Sequence, residues 1–412
     1  MTKPARRAKA APTVSAPAPA HAPSTPAAPA LLNSFAVVAP GLEPFALAEA
    51  TALGLPASAA EGGGGIEWRG DLESVLLANL GLRIASRVVV RLAQFEATSF
   101  AELEKQARKI AWHRVVAPGS TVRFRVTCKK SRLYHSDAVM QRVADAVVRA
   151  LPGTRAEGAS GAEDDEGTGG ENEQLIVVRL LRDQVTVSAD SSGALLHRRG
   201  YRQATAKAPL RETIAAALLV ASEWDGVAPL VDPFAGSGTI PIEGAMMARG
   251  IAPGALRSFA VERWPGTSRA LSGRVRSELA NRVLARAPGP ILGADRDAGA
   301  IVAALANAAR AGVETDVAFA ERSLSALTLP EAARGWIVAN PPYGVRVGDA
   351  ERVRDLWAQL GNVLRARARG WRVALLSPDP ALDRQLRLPM RAVATTTNGG
   401  IPVRLIVGDV VG

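Results

Sequence analysis

Leu230-Val-Asp-Pro-Phe-Ala-Gly-Ser-Gly-Thr239 is the stretch on which the fold turns. Two apolar residues of a short strand run straight into an aspartate, and a glycine-broken loop then opens a helix expected over 240–249. Gly236 and Gly238 let the backbone turn tightly and approach a ligand at the carboxyl edge of the strand. A phosphate-binding loop would need Gly-Lys-Ser/Thr, and no lysine is present. A dinucleotide fingerprint would need a third glycine where Pro241 stands, and an acid roughly twenty positions on; the next strand instead ends far downstream at Asp295. The loop therefore suits a ligand held without phosphate, with a plain structural turn as the competing explanation.

Outward from this loop, helices expected over 210–224, 240–249, 298–311 and 351–367 alternate with short apolar strands at 229–231, 290–294, 316–319, 336–339 and 371–376. Buried strands alternating with amphipathic helices predict an α/β domain built on a parallel, doubly wound sheet. The segments 391–397 and 403–410 flank Asn398-Gly-Gly400, the mark of a closing antiparallel hairpin. Residues 251–288 form a long insertion containing Trp264, to which the sequence assigns no role.

Two further loops carry chemistry. In Gly293-Ala-Asp-Arg-Asp297, Asp297 is the better helix cap, which leaves Asp295 to accept both ribose hydroxyls of an adenosine. Asn340-Pro-Pro-Tyr-Gly344 follows a buried strand. Its two prolines forbid helix and stiffen the loop. The Asn340 side-chain oxygen and the Pro341 carbonyl are expected as acceptors without competing donors, set to orient a planar exocyclic amine while Tyr343 stacks on the base.

The first half differs. Strands near 34–39, 66–69 and 88–92 alternate with helices over 46–53 and 71–80, the pattern of a small α+β unit. A helix is expected from Ser99 through Trp112, a period-2 strand over 121–128, and a helix from Ser136 or Asp137 to Ala150. The acidic stretch 153–174 has no periodicity and is expected to be a flexible insert, followed by a hairpin of 175–181 and 184–189 around Arg182-Asp183 that returns to the earlier sheet. Lys129, Lys130, Arg132, Tyr134 and His135 form a basic-aromatic cluster at a strand end, suited to phosphates and a stacked base. Cys128 reads as a small hydrophobe rather than a nucleophile.

Bulk properties agree. A net charge of +11 over 412 residues points to a polyanion, and RNA, DNA or an acidic membrane surface would each fit it. One cysteine excludes an internal disulfide, and four scattered histidines offer no metal spacing. No metal site and no membrane segment are expected, and a reducing, cytoplasmic compartment is. The Ala/Pro-rich stretch 1–32 lacks an apolar signal core and is expected to be a disordered basic tail.

With these motifs in hand, the sequence resembles the THUMP-bearing class I methyltransferases, and most closely the RlmL-like 23S rRNA guanine-N2 methyltransferases. Besides 232–239 and 340–344, Ala208-Pro-Leu-Arg-Glu-Thr213 is similar to the helix start flanking the methionine end of the cofactor. Lys129-Lys-Ser-Arg-Leu-Tyr-His135 and Leu196-His-Arg-Arg-Gly-Tyr201 resemble signatures of the RNA-binding half and of its exit. The resemblance implies a ferredoxin-like segment over 33–70, a THUMP domain over 71–195, and a Rossmann-like methyltransferase domain over 200–412 whose last strands are reversed. It implies S-adenosylmethionine held by Asp232, Pro233, Phe234, Gly236, Ser237, Gly238, Thr239, Asp295 and Arg296, with Ser323 where such enzymes usually carry an adenine-contacting acid, Glu321 nearby. Asn340, Pro341, Pro342 and Tyr343 would present the base. Large-subunit rRNA is the expected partner and a monomer the expected state. Some relatives carry a second methyltransferase module, and none is expected in this chain. The alternatives are a tRNA guanine-N2 methyltransferase, an amine methyltransferase acting on protein glutamine or DNA adenine, and a non-catalytic RNA-binding or assembly factor.

Overall fold

Alternation decides the first sheet. Along Thr121–Lys129, Val122 and Phe124 are fully buried while Arg123 and Arg125 on the opposite face are only half-buried. The computed structural model describes residues 2, 31–159, 172–203, 210–343 and 350–411. Its first half runs β1 (Leu32–Val37), α1 (Glu43–Ala52), β2 (Ser58–Ala59), β3 (Gly65–Gly70), α2 (Leu72–Gly81), β4 (Arg87–Glu96), α3 (Phe100–Ala107), β5 (Thr121–Lys129), α4 (Ser136–Ala150), β6 (Arg155–Ala159), β7 (Glu173–Leu181) and β8 (Gln184–Asp190). These strands form one mixed sheet of eight, ordered β2-β3-β1-β4-β8-β7-β5-β6. β8 lies antiparallel on β4, so the expected hairpin does return the chain to the sheet begun earlier.

Local chemistry sets the ends of these elements. Asp71 caps α2, its Oδ1 accepting the Ser74 N–H at 2.9 Å, and Ser99 opens α3 with a reciprocal capping box to Glu102. The helix expected to run through Trp112 instead stops at Ala107. Beyond it the Ala107 carbonyl accepts both the Ile110 N–H at 3.3 Å and the Trp112 indole N–H at 3.1 Å, and only a 3-10 turn follows at Trp112–Arg114. The insert expected over 153–174 is also corrected. Arg155–Ala159 is a strand parallel to β5, and β7 begins at Glu173. Residues 160–171 of that insert, almost all of the expected tail, and positions 208, 209 and 344 of the quoted motifs lie outside the described residues.

The second half runs α5 (Glu212–Ala221), β9 (Leu230–Asp232), α6 (Thr239–Arg249), α7 (Arg269–Ala280), β10 (Ile291–Asp295), α8 (Ala298–Ala311), β11 (Val317–Glu321), β12 (Trp336–Ala339), α9 (Ala350–Arg367), β13 (Arg372–Ser377), α10 (Pro380–Leu386), β14 (Arg391–Asn398) and β15 (Ile401–Asp409). The seven strands are ordered β11-β10-β9-β12-β13-β15-β14. β15 alone is reversed: it runs antiparallel to both β13 and β14, so β14 keeps the direction of the parallel strands. Both faces are buried. Leu230, Trp336, Val338 and Ala374 enter one core with α5 and α6, while Val231, Ile337, Ala339 and Val373 enter a second with Trp357, Leu360 and Leu364 of α9. No described helix is long and apolar enough to cross a membrane.

The insertion containing Trp264 joins the two halves. The Trp264 indole donates to Gln174 Oε1 at 2.8 Å, Gly254 N–H to the Leu80 carbonyl at 2.9 Å, and Arg274 grips Glu73 through both terminal nitrogens at 2.7 and 2.6 Å. The Arg257 guanidinium collects the carbonyls of Ser192, Ala194, Leu195 and Arg198. The insertion is thus a brace across the domain boundary, built from side chains whose partners lie far away in sequence.

Candidate functional site

Parallel register brings the three sequence motifs to one edge. Asp232 stands level with Gly293 on one side, and Val231 with Ile337 on the other. Asp295 and Asn340 therefore each lie two residues beyond the level of Asp232, one on either side of the glycine loop. This is the carboxyl edge, where open α/β sheets bind ligands.

The loop is held from below. Asp232 is 1% exposed and accepts the Phe234 N–H at 2.9 Å. Burial pushes its carboxyl up to about 8, the Asp295 carboxylate adds to the rise, and the Phe234 N–H opposes it. Gly236 sits at φ +51, and a Cβ there would meet nothing within 4 Å, so the space above it is open. Gly238, at φ +86, is pressed against Phe319, Ala304 and Ile242, where a Cβ would fall 2.9–3.1 Å from each. One glycine faces open space and the other permits the close packing beneath it. Ser237 is buried and its carbonyl accepts the Asn307 amide at 3.0 Å; the Thr239 hydroxyl accepts from Arg202 at 2.8 Å. Pro233 is buried, and Phe234 is half-buried against the second core.

Asp295 does more than was expected of it. Its Oδ2 accepts the Gly236 N–H at 2.9 Å and its Oδ1 the Asp297 N–H at 3.0 Å, so the carboxylate ties the second strand to the loop. Each oxygen keeps a lone pair for a diol. Asp297 caps α8 through the Gly299 and Ala300 N–H groups. Arg296 is exposed beside it, and Ser323 is exposed with its hydroxyl on Ser325 Oγ at 3.0 Å. Glu321 is paired in register with Asp295 and is the carboxylate nearer that strand end. An open cradle over Gly236 and a half-buried acceptor at the end of β10 fit the adenosine and methionine parts of S-adenosylmethionine.

The second acceptor site departs from expectation. The Tyr343 hydroxyl donates to Asn340 Oδ1, so that oxygen has a competing donor. The cause is local: two prolines turn the chain so that the residue three positions on curls back over Asn340. Burial pushes the Tyr343 phenol above its usual range, against the opposing effect of the Asn398 side chain. Pro341 is buried and Pro342 exposed; among the described residues no donor is paired with the Pro341 carbonyl, while the Pro342 carbonyl accepts the Trp357 indole N–H at 3.3 Å. Trp357, fully buried on α9, pins the loop. It was missed because its heptad-like spacing reads as core.

The basic cluster lies on the other sheet. Lys129, Lys130, Arg132 and His135 are exposed, and Tyr134 is 68% exposed, which removes it from the core. The Tyr134 and His135 rings lie 4.1 Å apart, tilted by 41°. Leu133 is the buried anchor. Arg182 and Asp183 both take positive φ, the geometry of a tight primed hairpin turn, and Asp183 Oδ1 accepts the Arg132 N–H at 2.7 Å. The hairpin turn thus shapes the loop beside it. Cys128 is half-buried and burial raises its thiol, so it is no ready nucleophile.

Comparison with known proteins assigns the parts. A model of the RMKL-like methyltransferase domain matches residues 199–405, the RlmL ferredoxin-like domain 33–89, and the THUMP domain 97–158. The ribosomal RNA large subunit methyltransferase K/L of Methylococcus capsulatus is 34% identical over 91% of this chain, but this chain spans only 51% of its length. A Synechocystis protein named as an RNA methyltransferase is 32% identical over 90% of this chain and 95% of its own. A solved methyltransferase in complex with S-adenosylhomocysteine superposes with a TM-score of 0.80 at 29% identity, over 92% of this chain and 98% of that one. The chain therefore belongs to the RMKL-like family of S-adenosylmethionine-dependent methyltransferases that carry ferredoxin-like and THUMP domains ahead of the catalytic sheet.

Proposed function

We propose that the chain methylates the exocyclic N2 of a guanosine in large-subunit rRNA. The observation that carries this is the placement of Asn340 two residues beyond the level of Asp232, across the glycine loop from Asp295, with Pro341 and Tyr343 following it in the same loop. Bound S-adenosylmethionine supplies an electrophilic methyl on its sulfonium. The amine of guanine is a poor nucleophile because its lone pair is delocalised into the ring. Asn340 Oδ1 and the Pro341 carbonyl accept its two hydrogens and aim the nitrogen, while the Tyr343 ring holds the base. The nitrogen lone pair then forms the N–C bond as the S–C bond breaks, and the nitrogen sheds one proton to water. No strong base is needed. In this scheme the Tyr343 hydroxyl yields Asn340 Oδ1 to the incoming amine. The exposed Lys129–His135 loop docks the RNA through phosphates and stacking.

The deciding experiment is transfer from labelled S-adenosylmethionine onto separated rRNA and tRNA, with nucleoside analysis of the product. Label in N2-methylguanosine of the large rRNA is expected. Label confined to tRNA would move the substrate to the tRNA class, and label in another nucleoside or macromolecule would overturn the guanine assignment. No label, with cofactor bound, would favour a non-catalytic RNA-binding role.

A further inference from the structure

Helix α6 begins at the cofactor loop with nothing of its own to fix it. Its N-cap is Gly238, which has no side chain to cap with, and no acid stands in its first turn. A helix whose free N–H groups face a ligand must be placed from outside. The placing comes from the segment that leads out of the RNA-binding half.

Arg199 and Tyr201 of that segment are fully buried. Arg199 Nε meets Glu243 Oε1 of α6 at 3.3 Å, and the Tyr201 hydroxyl donates to the same oxygen at 3.2 Å. Arg199 also donates to the Arg83 carbonyl at 2.6 Å, and Arg83 donates to the Ile251 carbonyl just beyond α6 at 2.5 Å. Arg310 donates to the Tyr201 carbonyl at 2.6 Å and bonds Asn307, whose amide holds the Ser237 carbonyl. Arg202 completes the set. Its Nη2 donates to Thr239 Oγ1 at 2.8 Å and to the Leu210 carbonyl at 2.7 Å, and its Nε lies 3.0 Å from Glu212 Oε1. One guanidinium, with a side chain 10% exposed, thus joins three chain segments: the segment it sits on, the start of α5, and the first residue of α6.

Helix stability does not explain this arginine. A cation at a helix N-terminus opposes the macrodipole, and Glu212 is needed to balance it. What Arg202 gains is geometry: its Nη2 donates to both Thr239 and Leu210 while Nε faces the Glu212 carboxylate, a planar fork that the single ammonium of a lysine cannot copy. We infer that Arg202 is a positioning residue for the methyl-donor site. It sets the first turn of α6, and with it Gly236 and Gly238, from the interdomain segment. This rests on residues 232–239 being the cofactor loop.

The test is titration of the 412-residue chain with S-adenosylmethionine, paired with thermal unfolding. Arg202→Gln is expected to raise the cofactor Kd about tenfold, the scale of one charge-assisted hydrogen bond, while kcat at saturating cofactor stays near the wild-type value. Arg202→Lys keeps the charge without the fork and falls between. Arg249→Gln breaks the 3.0 Å pair with Asp316 at the far end of the same helix; it is expected to lower Tm and leave Kd unchanged. In a double-mutant cycle, Arg202→Gln and Thr239→Val should be strongly non-additive in Kd. If Arg202→Gln lowers Tm yet leaves Kd at the wild-type value, the residue is only a structural ion pair and the proposal falls. If kcat at saturation collapses as well, Arg202 touches the reacting groups and positioning is the wrong role. Should Arg202→Gln fail to fold, the Lys variant and Thr239→Val carry the same comparison. Asp295→Ala, measured alongside, separates the two levels: if it too leaves Kd unaltered, the loop assignment has failed rather than Arg202.

Discussion

The two loop regions proposed to meet ligands are built on opposite plans. Around Asp232 and Asn340 the polar groups are mostly buried or half-buried and engaged with one another: Asp295 holds Gly236, Tyr343 holds Asn340, Trp357 holds Pro342, and Arg202 holds Thr239. Around Lys129–His135 the cations and rings stand in solvent; Asp183 takes the Arg132 N–H and lies 4.0 Å from its side chain, and Ser131 Oγ donates to the Lys129 carbonyl. Chemistry needs groups preorganised in a low dielectric, where a misplacement of one ångström is costly. Docking a polyanion needs charge that can follow a backbone, and desolvating it beforehand would weaken it.

The largest effect should come from Asn340→Ala, the most direct way to break that contrast. Loss of one orienting acceptor is expected to lower kcat by roughly a hundredfold to a thousandfold with cofactor Kd almost unchanged in the titration; a large fall in cofactor affinity would instead put Asn340 in the donor site. Asp295→Ala removes both the diol acceptor and the tie to Gly236, and should raise cofactor Kd by roughly tenfold or more. An unaltered Kd would remove Asp295 from the site. Replacing Lys129, Lys130 and Arg132 together by alanine should cost about tenfold in RNA affinity and flatten the slope of log K against log salt by about 2, as expected for three lost contacts to single-stranded phosphates. Cofactor binding should not change, and an unchanged slope would place the docking surface elsewhere.

Smaller effects sharpen the comparison. The Asp232 carboxyl, pushed up to about 8, keeps its proton in the folded protein while the unfolded chain loses it near pH 4. The folded state then binds more protons than the unfolded one, so stability present below pH 4 is lost progressively as pH rises towards 8. Asp232→Asn should therefore flatten the fall in Tm between pH 5 and 8.5 by a few degrees, measured without cofactor; a Tm profile parallel to wild type would show that the carboxyl is ionised in the fold. Tyr343→Phe is the mildest test. It keeps the ring and frees Asn340 Oδ1, so transfer should stay within about twofold of wild type, whereas Tyr343→Ala should lose the base. A collapse in Tyr343→Phe would mean the hydroxyl itself acts in the reaction.

Much of the site was legible because its parts are local. Asp232, Gly236 and Gly238 form one turn, and Asn340–Tyr343 another, and each follows a strand that its flanking sequence already marks. Asn307, Trp357 and Arg202 were not legible. They lie between 37 and 70 residues from the loops they serve or on helices whose spacing reads as core, so only packing reveals them. The premature end of α3 and the strand Arg155–Ala159 were missed for a related reason. The helix gives way where the buried Trp112 turns its indole back onto Ala107, and a short strand without alternation pairs along the edge that β5 offers it.

By itself, the sequence determined most of the order of strands and helices, the two turns at 232–239 and 340–343, and the basic loop at a strand end. These depend on periodicity, on glycine at positive φ and on proline, all properties of neighbouring residues. Only the tertiary structure decided that the Tyr343 hydroxyl occupies Asn340, that the Trp264 insertion braces the two halves, and that the segment leaving the RNA-binding half anchors α6 at the cofactor loop. The first is set by how the loop folds over Asn340, the other two by which distant groups meet when two sheets bury their faces. Buried charges such as Arg199 and Glu243 must then find partners wherever the packing has placed them.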